Sequence, residues 1–394
     1  MSDQDNSIQE ARPEGSSVPH EEPNQPEEIL DPNRPETKPN WEKMEYRHLG
    51  NSGLRVSILS YGNWANNDNA DLTYESVKLC LENGINFFDT AEIYGHGAGE
   101  KSFGKVIKEL NIPREKIVIS TKIWQIGFDP NDGFLSRKHI CEAIKNSLKR
   151  LQLDYVDVVF CHKFDSVTPL EETCKSMNWV IDQGYADYWG TSDWTASQIM
   201  EAYAICDKLG LIKPIVEQCQ YNMLYRQPME VNYRDLFKRY KMGTTIWSPL
   251  NSGILTGKYI EGIPEDSRAK LKNDNADYAF TFYQKNKQDI DNKLIKLKSI
   301  AEKYRCGLAT LAIAWCIANP DVSVCLLGAS KPAQLDDTIK AVEIYKKIDN
   351  DTWIEIEKIL DNTPKGETDF LTWKELPSRR NIAMGIDYIK ENNL

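Results

Sequence analysis

Asp89, Tyr94, Lys122 and His162 are the residues of this 394-residue chain whose types could do chemistry together. Asp89 and Tyr94 lie in GINFFDTAEIYGHGAGEKSFG, residues 84–104. There an apolar run, Ile85 to Phe88, stops at an aspartate, and a tyrosine follows five residues later in a glycine-rich turn. Lys122 closes the run VISTK, and His162 closes VVFCH. A tyrosine with its ordinary pKa of about 10 exchanges protons poorly at neutral pH unless a cation stabilises its phenolate. Lys122 could be that cation, Asp89 could keep the ammonium charged and in place, and His162 could orient or polarise a carbonyl oxygen. Such a group suits general acid catalysis during hydride delivery to a carbonyl. On residue types alone a plainer reading stays open, in which Asp89 and Lys122 form a structural ion pair while Tyr94 and His162 merely sit at strand ends.

The frame that would bring these residues together is legible as alternation. Short apolar runs at Ile58–Gly62, Asn86–Asp89, Ile117–Thr121, Val156–Phe160, Tyr188–Thr191, Ile215–Cys219, Thr244–Trp247 and Val322–Leu327 read as strands. Amphipathic stretches lie between them at Thr73–Glu82, Ser136–Leu151, Leu170–Asp182, Thr195–Leu209, Glu230–Tyr240, Leu308–Ile317 and Pro332–Val342. Continuous apolar strands alternating with helices specify a parallel sheet covered by helices, and eight such units predict a (β/α)8 TIM barrel. Functional residues of that fold sit at the C-terminal ends of the strands. Asp89, Lys122, His162, Ser192, Gln218 and Trp247-Ser248 all occupy such positions on successive strands. The segment Asn251–Asn286 is long and punctuated by Gly and Pro, as functional or disordered loops are.

Composition narrows the classes. Residues 1–40 hold ten acids against three bases, so this segment carries −7 of the net −11, and it has seven prolines and few large apolar side chains. Residues 1–43 are therefore expected to be a disordered acidic tail. Nucleic-acid binding is disfavoured, because no basic stripe is present. Nine scattered cysteines without a C-x-x-C pair, and five histidines without H-x-x-x-H spacing, point to no disulfide framework and no metal site. No apolar run nears the roughly 20 residues of a membrane span and no secretory signal is visible, so a soluble cytoplasmic protein is expected. Residues 365–394 form a C-terminal extension whose Phe370, Leu371, Trp373 and Leu376 could dock on the barrel or on a partner.

Over roughly residues 44–350 the chain resembles the aldo-keto reductases, through FDTAEIYG, VISTKIW, LDYVDVVFCH, YWGTSDW, EQCQYN, WSPLNSGILTGKY and LLGAS in order. The stretches LSRKHI, SLKRLQLDYVDVVF, MEAY and GIPEDSRAKLK bring it nearest to one branch of that superfamily, the beta subunits of voltage-gated potassium channels. The resemblance implies a barrel over residues 44–364 and a catalytic tetrad of Asp89, Tyr94, Lys122 and His162, with Tyr94 as proton donor. Animal channel subunits usually carry asparagine where this chain has His162, so the match at that position is to enzymatic members.

The same resemblance implies a bound NADP(H). Asn63 and Trp64 match the nicotinamide side, Ser192 and Gln218 the residues that bond its carboxamide, and Trp247 the ring on which it packs. Ser248, Pro249, Leu250 and Ser252 match the loop around the pyrophosphate. Lys258, Arg268, Ser330 and Gln334 match the groups wrapping the adenosine end, with Gly328 in the small-residue turn before them. Lys258 and Arg268 would suit a 2′-phosphate. Asp193 departs from the asparagine or arginine usual beside Ser192 and adds negative charge near the cofactor. Reduction of aldehydes or ketones is thus the implied activity. The alternative implied role is a regulatory channel subunit, often a homotetramer, using NADP(H) as a redox sensor and binding a potassium channel cytoplasmic domain.

Overall fold

The computed structural model describes residues 39–66, 69–265, 267, 278–370 and 374–386. The expectations for the tail before residue 39, for Arg268 and for Leu371 and Trp373 fall outside those residues.

Two short strands, β1 (Tyr46–His48) and β2 (Arg55–Ser57), pair as a hairpin. There follow β3 (Leu59–Gly62), β4 (Phe87–Asp89), β5 (Val118–Ile123), β6 (Val156–Cys161), β7 (Ala186–Ser192), β8 (Val216–Gln220), β9 (Gly243–Trp247) and β10 (Val324–Leu327). These eight close a parallel barrel in chain order, with β10 returning to pair with β3. Each strand lies within two residues of its expected span at either end. Strand alternation splits the apolar residues into two cores. Phe87, Val118, Val158, Phe160, Val216 and Val324 fill the barrel interior, with Tyr188 packed against them. Ile119, Val159 and Cys325 face the outer helices. Two-residue steps onward from the interior positions reach Asp89, Lys122, His162, Ser192 and Gln218. Register itself therefore aims these side chains at the barrel axis at its C-terminal end.

The hairpin turn closes the opposite end, and two glycines make that possible. A Cβ on Gly50, whose φ is +62°, would lie 2.2 Å from the Ile215 carbonyl oxygen, and one on Gly243 would lie 2.4 Å from the Gly50 nitrogen. Only with both side chains absent can Leu49 and Val56 plug the interior core from below.

The outer layer holds α1 (Ala70–Glu82), α2 (Ala98–Glu109), α3 (Arg137–Leu151), α4 (Leu170–Asp182) and α5 (Ala196–Leu209). After β9 come α6 (Tyr278–Lys285), α7 (Lys287–Lys303) and α8 (Leu308–Ile317), and after β10 come α9 (Pro332–Ile339), α10 (Ala341–Lys347) and α11 (Asn350–Leu360). Local signals set their starts. Ser136 caps α3 by accepting from the His139 amide, and Thr195 with Gln198 forms a capping box on α5. Two expectations need correction. Glu230–Tyr240 is not one α-helix but two π-helical turns, Pro228–Asn232 and Leu236–Tyr240, each joined by i to i+5 bonding such as Tyr233 N to Pro228 O. The helix beginning at Pro332 ends at Ile339 and a second begins at Ala341. A strand pair, β11 (Thr368–Asp369) with β12 (Lys374–Glu375), and a short helix, α12 (Arg379–Ala383), end the described chain. Among the described residues no helix is long and apolar enough to cross a membrane.

Candidate active site

The glycine-bounded turn after β4 folds Tyr94 back over the barrel mouth, as Tyr94 N bonds to Ala91 O and Gly99 N to Tyr94 O. This brings Tyr94 to Lys122, although 28 residues separate them. The Lys122 ammonium is wholly buried and donates to Asp89 Oδ2, to Thr90 O at 2.8 Å and to the Tyr94 hydroxyl oxygen at 3.1 Å. Asp89 Oδ1 in turn accepts from Ser120 Oγ at 2.6 Å and from Gln218 Nε2 at 3.3 Å. Both carboxylate oxygens are thus engaged, which fixes the side chain that fixes the lysine. His162 stands edge-on to Tyr94, with ring centroids 6.1 Å apart. Its Nδ1 is buried with no hydrogen-bond partner among the described residues.

Burial sets the protonation states. It would lower Lys122, but Asp89 and then Tyr94 outweigh it and the net shift is upward, so the ammonium is secure at neutral pH. Burial raises the Tyr94 hydroxyl by more than Lys122 lowers it. The phenol is therefore protonated at rest, which a proton donor requires. Burial, then the charges of Lys122 and Lys163, hold His162 well below the ordinary histidine range, leaving a neutral imidazole. The site can hold one proton on a phenol, with a fixed cation beside the oxygen that would keep the negative charge.

Along the same rim, Ser192 pairs in register with Gln218, and Gln218 with Thr245. Trp247 follows at the end of β9, half-buried. Asp193 does not present a bare charge there, since its carboxylate pairs with Lys163 and accepts from Trp247 Nε1 at 3.0 Å. The aspartate that departs from the expected residue thus anchors the aromatic ring. The loop after β9 has left-handed backbone at Ser248, Asn251, Ser252, Gly253 and Gly257. The two glycines adopt it without strain, but Ser248, Asn251 and Ser252 do not, and such strain persists where the surroundings over-determine it and clusters at ligand sites.

The residues of the barrel spanning 59–361 match the model of the aldo/keto reductase family. The chain belongs to that family. Among curated relatives of this aldo/keto reductase, a probable voltage-gated potassium channel subunit beta from Arabidopsis thaliana is 46% identical over 326 residues, covering 82% of this chain and 98% of that protein. A protein of the same description from Oryza sativa subsp. japonica is 45% identical over the same share of each chain. The family is one of oxidoreductases that generally use NAD(P)H.

The residues present fit such a dinucleotide. Asn63 donates to Gly99 O at 2.7 Å while its Oδ1 is buried without a partner among the described residues. Among the described residues a Cβ on Gly328 would meet only the Gly62 carbonyl oxygen, at 3.8 Å, so none of them requires a glycine there. Trp64 is exposed at the same rim, after Asn63. Pro249 and Leu250 form the first turn of the 248–257 loop. Lys258 lies back across it, where a Cβ on Gly253 would fall 3.0 Å from Lys258 Nζ. Ser330 and Gln334 bond to each other at the start of α9, Oγ to Oε1 at 3.3 Å.

Four residues of the site carry no role in the sequence reading. Ser120 could have been found, because it lies two residues before Lys122 on the same strand face. Thr90 contributes only its carbonyl, which no side-chain pattern reveals. Lys163 follows His162, but its pairing with Asp193 exists only across β6 and β7. Asn222 lies inside EQCQYN, and its amide donates to Ser248 O at 3.0 Å, a contact that spacing does not disclose.

Proposed function

We propose that this chain is an NADPH-dependent reductase of aldehydes or ketones, with Tyr94 as proton donor. The observation that carries the reading is the wholly buried Lys122 ammonium, shared between the Asp89 carboxylate and the Tyr94 oxygen. NADPH, when bound, supplies the hydride. Ser192 and Gln218 would bond the carboxamide, with Asn63 and Trp64 on the nicotinamide side and Trp247 as the packing ring. Ser248, Pro249, Leu250 and Ser252 would hold the pyrophosphate, with Lys258, Arg268, Gly328, Ser330 and Gln334 around the adenosine end. Lys258 and Arg268 motivate the preference for NADPH over NADH.

The chain's own residues have distinct tasks. His162, neutral and edge-on to Tyr94, orients the carbonyl oxygen toward the hydroxyl. Tyr94 releases its proton to that oxygen, and Lys122 stabilises the phenolate left behind. Asp89, held by Ser120 and Gln218, keeps the lysine charged and stationary. Residues 44–364 constitute the catalytic barrel, with residues 1–43 a tail and 365–394 an extension, and the protein works in the cytoplasm. The test is NADPH consumption over a panel of aldehydes and ketones. Turnover that Tyr94→Phe abolishes supports the reading, whereas NADPH binding with no turnover on any carbonyl sinks it.

A second reading has its own support in the relatives described as potassium channel subunits. In it the protein is a regulatory subunit, assembled as a homotetramer on the cytoplasmic domain of a potassium channel, and bound NADP(H) reports redox state. Co-expression with such a domain, followed by size-exclusion chromatography, decides this. Separate elution of the two at micromolar concentration would count against it.

A further inference from the structure

Beyond residue 361, where the family match ends, the chain returns to the barrel and buries a cation, Arg380. Ser378 caps α12 by accepting from the Asn381 amide at 3.1 Å, and Arg379 Nε reaches both oxygens of Asp321, at 2.8 and 2.9 Å. Arg380, 1% exposed, lies over the Trp315 ring with its guanidinium carbon 4.1 Å from the centroid. Its Nη1 donates to Trp315 O at 3.0 Å and its Nη2 to Glu357 Oε1 at 3.3 Å.

The cluster that Arg380 enters holds two buried acids and, without it, one base. Arg226 forks onto Glu230, Nε to Oε1 at 2.8 Å and Nη2 to Oε2 at 2.9 Å. Its Nη1 also reaches Glu357 Oε2 at 2.7 Å and Asn362 Oδ1 at 3.0 Å. With Arg380 present the charges balance two against two. Burial would raise the Glu357 carboxyl, but Arg226 and then Arg380 bring it below the ordinary range, so Glu357 stays a carboxylate between the two arginines.

Arg226 ends a tight segment that begins directly after β8. Asn222 and Tyr225 exchange two backbone hydrogen bonds of 3.1 Å, and Asn222 Oδ1 accepts from the amides of Leu224 and Tyr225. Asn362 Nδ2 holds Met223 O at 2.7 Å. With its remaining amide Asn222 grips Ser248 O, and Ser248, at φ +54°, is the strained first residue of the 248–257 loop. Tyr225, which makes both backbone bonds to Asn222, directly precedes Arg226 in the chain.

We infer that Arg380 is a positioning residue for the cofactor loop 248–257. By completing the charge balance at Glu357 it keeps Arg226 on Glu230, fixes residues 222–226 and so holds Asn222 on Ser248. The inference rests on the proposed reading of that loop as the pyrophosphate side of an NADP(H) site.

The test compares the full-length protein with Arg380→Met and Arg380→Lys, well below their unfolding temperatures. Amide hydrogen exchange and NADPH titration are read together. In Arg380→Met, exchange should quicken at residues 222–226 and 248–257, and the Kd for NADPH should rise roughly tenfold, the scale of coupled buried networks. Arg380→Lys, which keeps the charge without the fork, should fall between. A lowered Tm with unchanged exchange at 248–257 and unchanged Kd would overturn the inference and leave Arg380 a stabilising clamp only. If Arg380→Met does not fold, Arg380→Lys decides on the same two readouts. Failure of the unaltered protein to bind NADPH or NADH would sink the cofactor reading instead. Exchange at 248–257 would then decide this one, with wild-type protection in the variant overturning it.

Discussion

Asp89→Asn isolates the interaction on which the proposed chemistry depends. The variant keeps the shape of the side chain and removes the charge that faces a wholly buried ammonium. Lys122 retains Thr90 O and the Tyr94 oxygen, so it is not stripped of partners, but its counter-charge is gone. Removing one member of a buried ion pair costs about 3–5 kcal/mol, and the surviving neutral partners place this case near the lower end. The pH dependence carries the sharper prediction. In the parent protein Lys122 is raised above its unfolded value, so its stabilising contribution is complete below that value, about 10.4, and is lost only at higher pH. In the variant burial goes unopposed by Asp89, Lys122 falls below its unfolded value, and the unfolded chain binds the proton more tightly. Stability of the variant should then increase with pH, by at most about 1.4 kcal/mol per unit, until the unfolded lysine also titrates. Urea unfolding of both proteins from pH 6 to 10 measures this. The gap between them should be about 3 kcal/mol at pH 6 and should narrow as pH rises. A gap that stays constant or widens with pH would refute the claim that Asp89 keeps Lys122 charged.

Three further outcomes are expected. Tyr94→Phe removes one hydrogen bond from Lys122, so urea unfolding should show a loss of only about 1 kcal/mol, while carbonyl turnover should fall roughly 10²–10⁴-fold. His162→Asn should gain stability relative to the parent as pH falls below about 6.5. There the unfolded histidine takes up a proton that the buried ring refuses, and unfolding curves at pH 5 and pH 8 give the comparison. Gly50→Ala should destabilise by roughly 1–3 kcal/mol through the close approach of its Cβ to Ile215 O, and a lowered thermal midpoint would register it.

The barrel was legible because its evidence is local. Apolar runs of strand length alternate with amphipathic helices, and strand ends supply the rim residues. Leu170–Asp182 and Leu308–Ile317 fall on their expected bounds for that reason. Where a competing interaction entered, local pattern failed. The stretch 230–240 has helical apolar spacing, yet it lies beside the Arg226–Glu230 fork and folds as separate π-helical turns. The hairpin of β1 and β2 was invisible because three-residue strands are too short to show a period.

The sequence by itself determined which residues stand at the barrel mouth, because a period of two along strands of known direction leaves Asp89, Lys122, His162 and Gln218 no other face. It also determined the family, through motifs carried in order. Only the tertiary structure decided how those residues are charged, because burial and the positions of opposing charges depend on several strands at once. It alone showed that burial outweighs Lys122 at the Tyr94 hydroxyl, and that Asp193 is taken up by Lys163 and Trp247. It alone seated Arg380, 23 residues from Glu357 in sequence, in the same buried cluster. Contacts between distant segments obey no spacing rule, since they are set by which surfaces the closed barrel leaves to be covered.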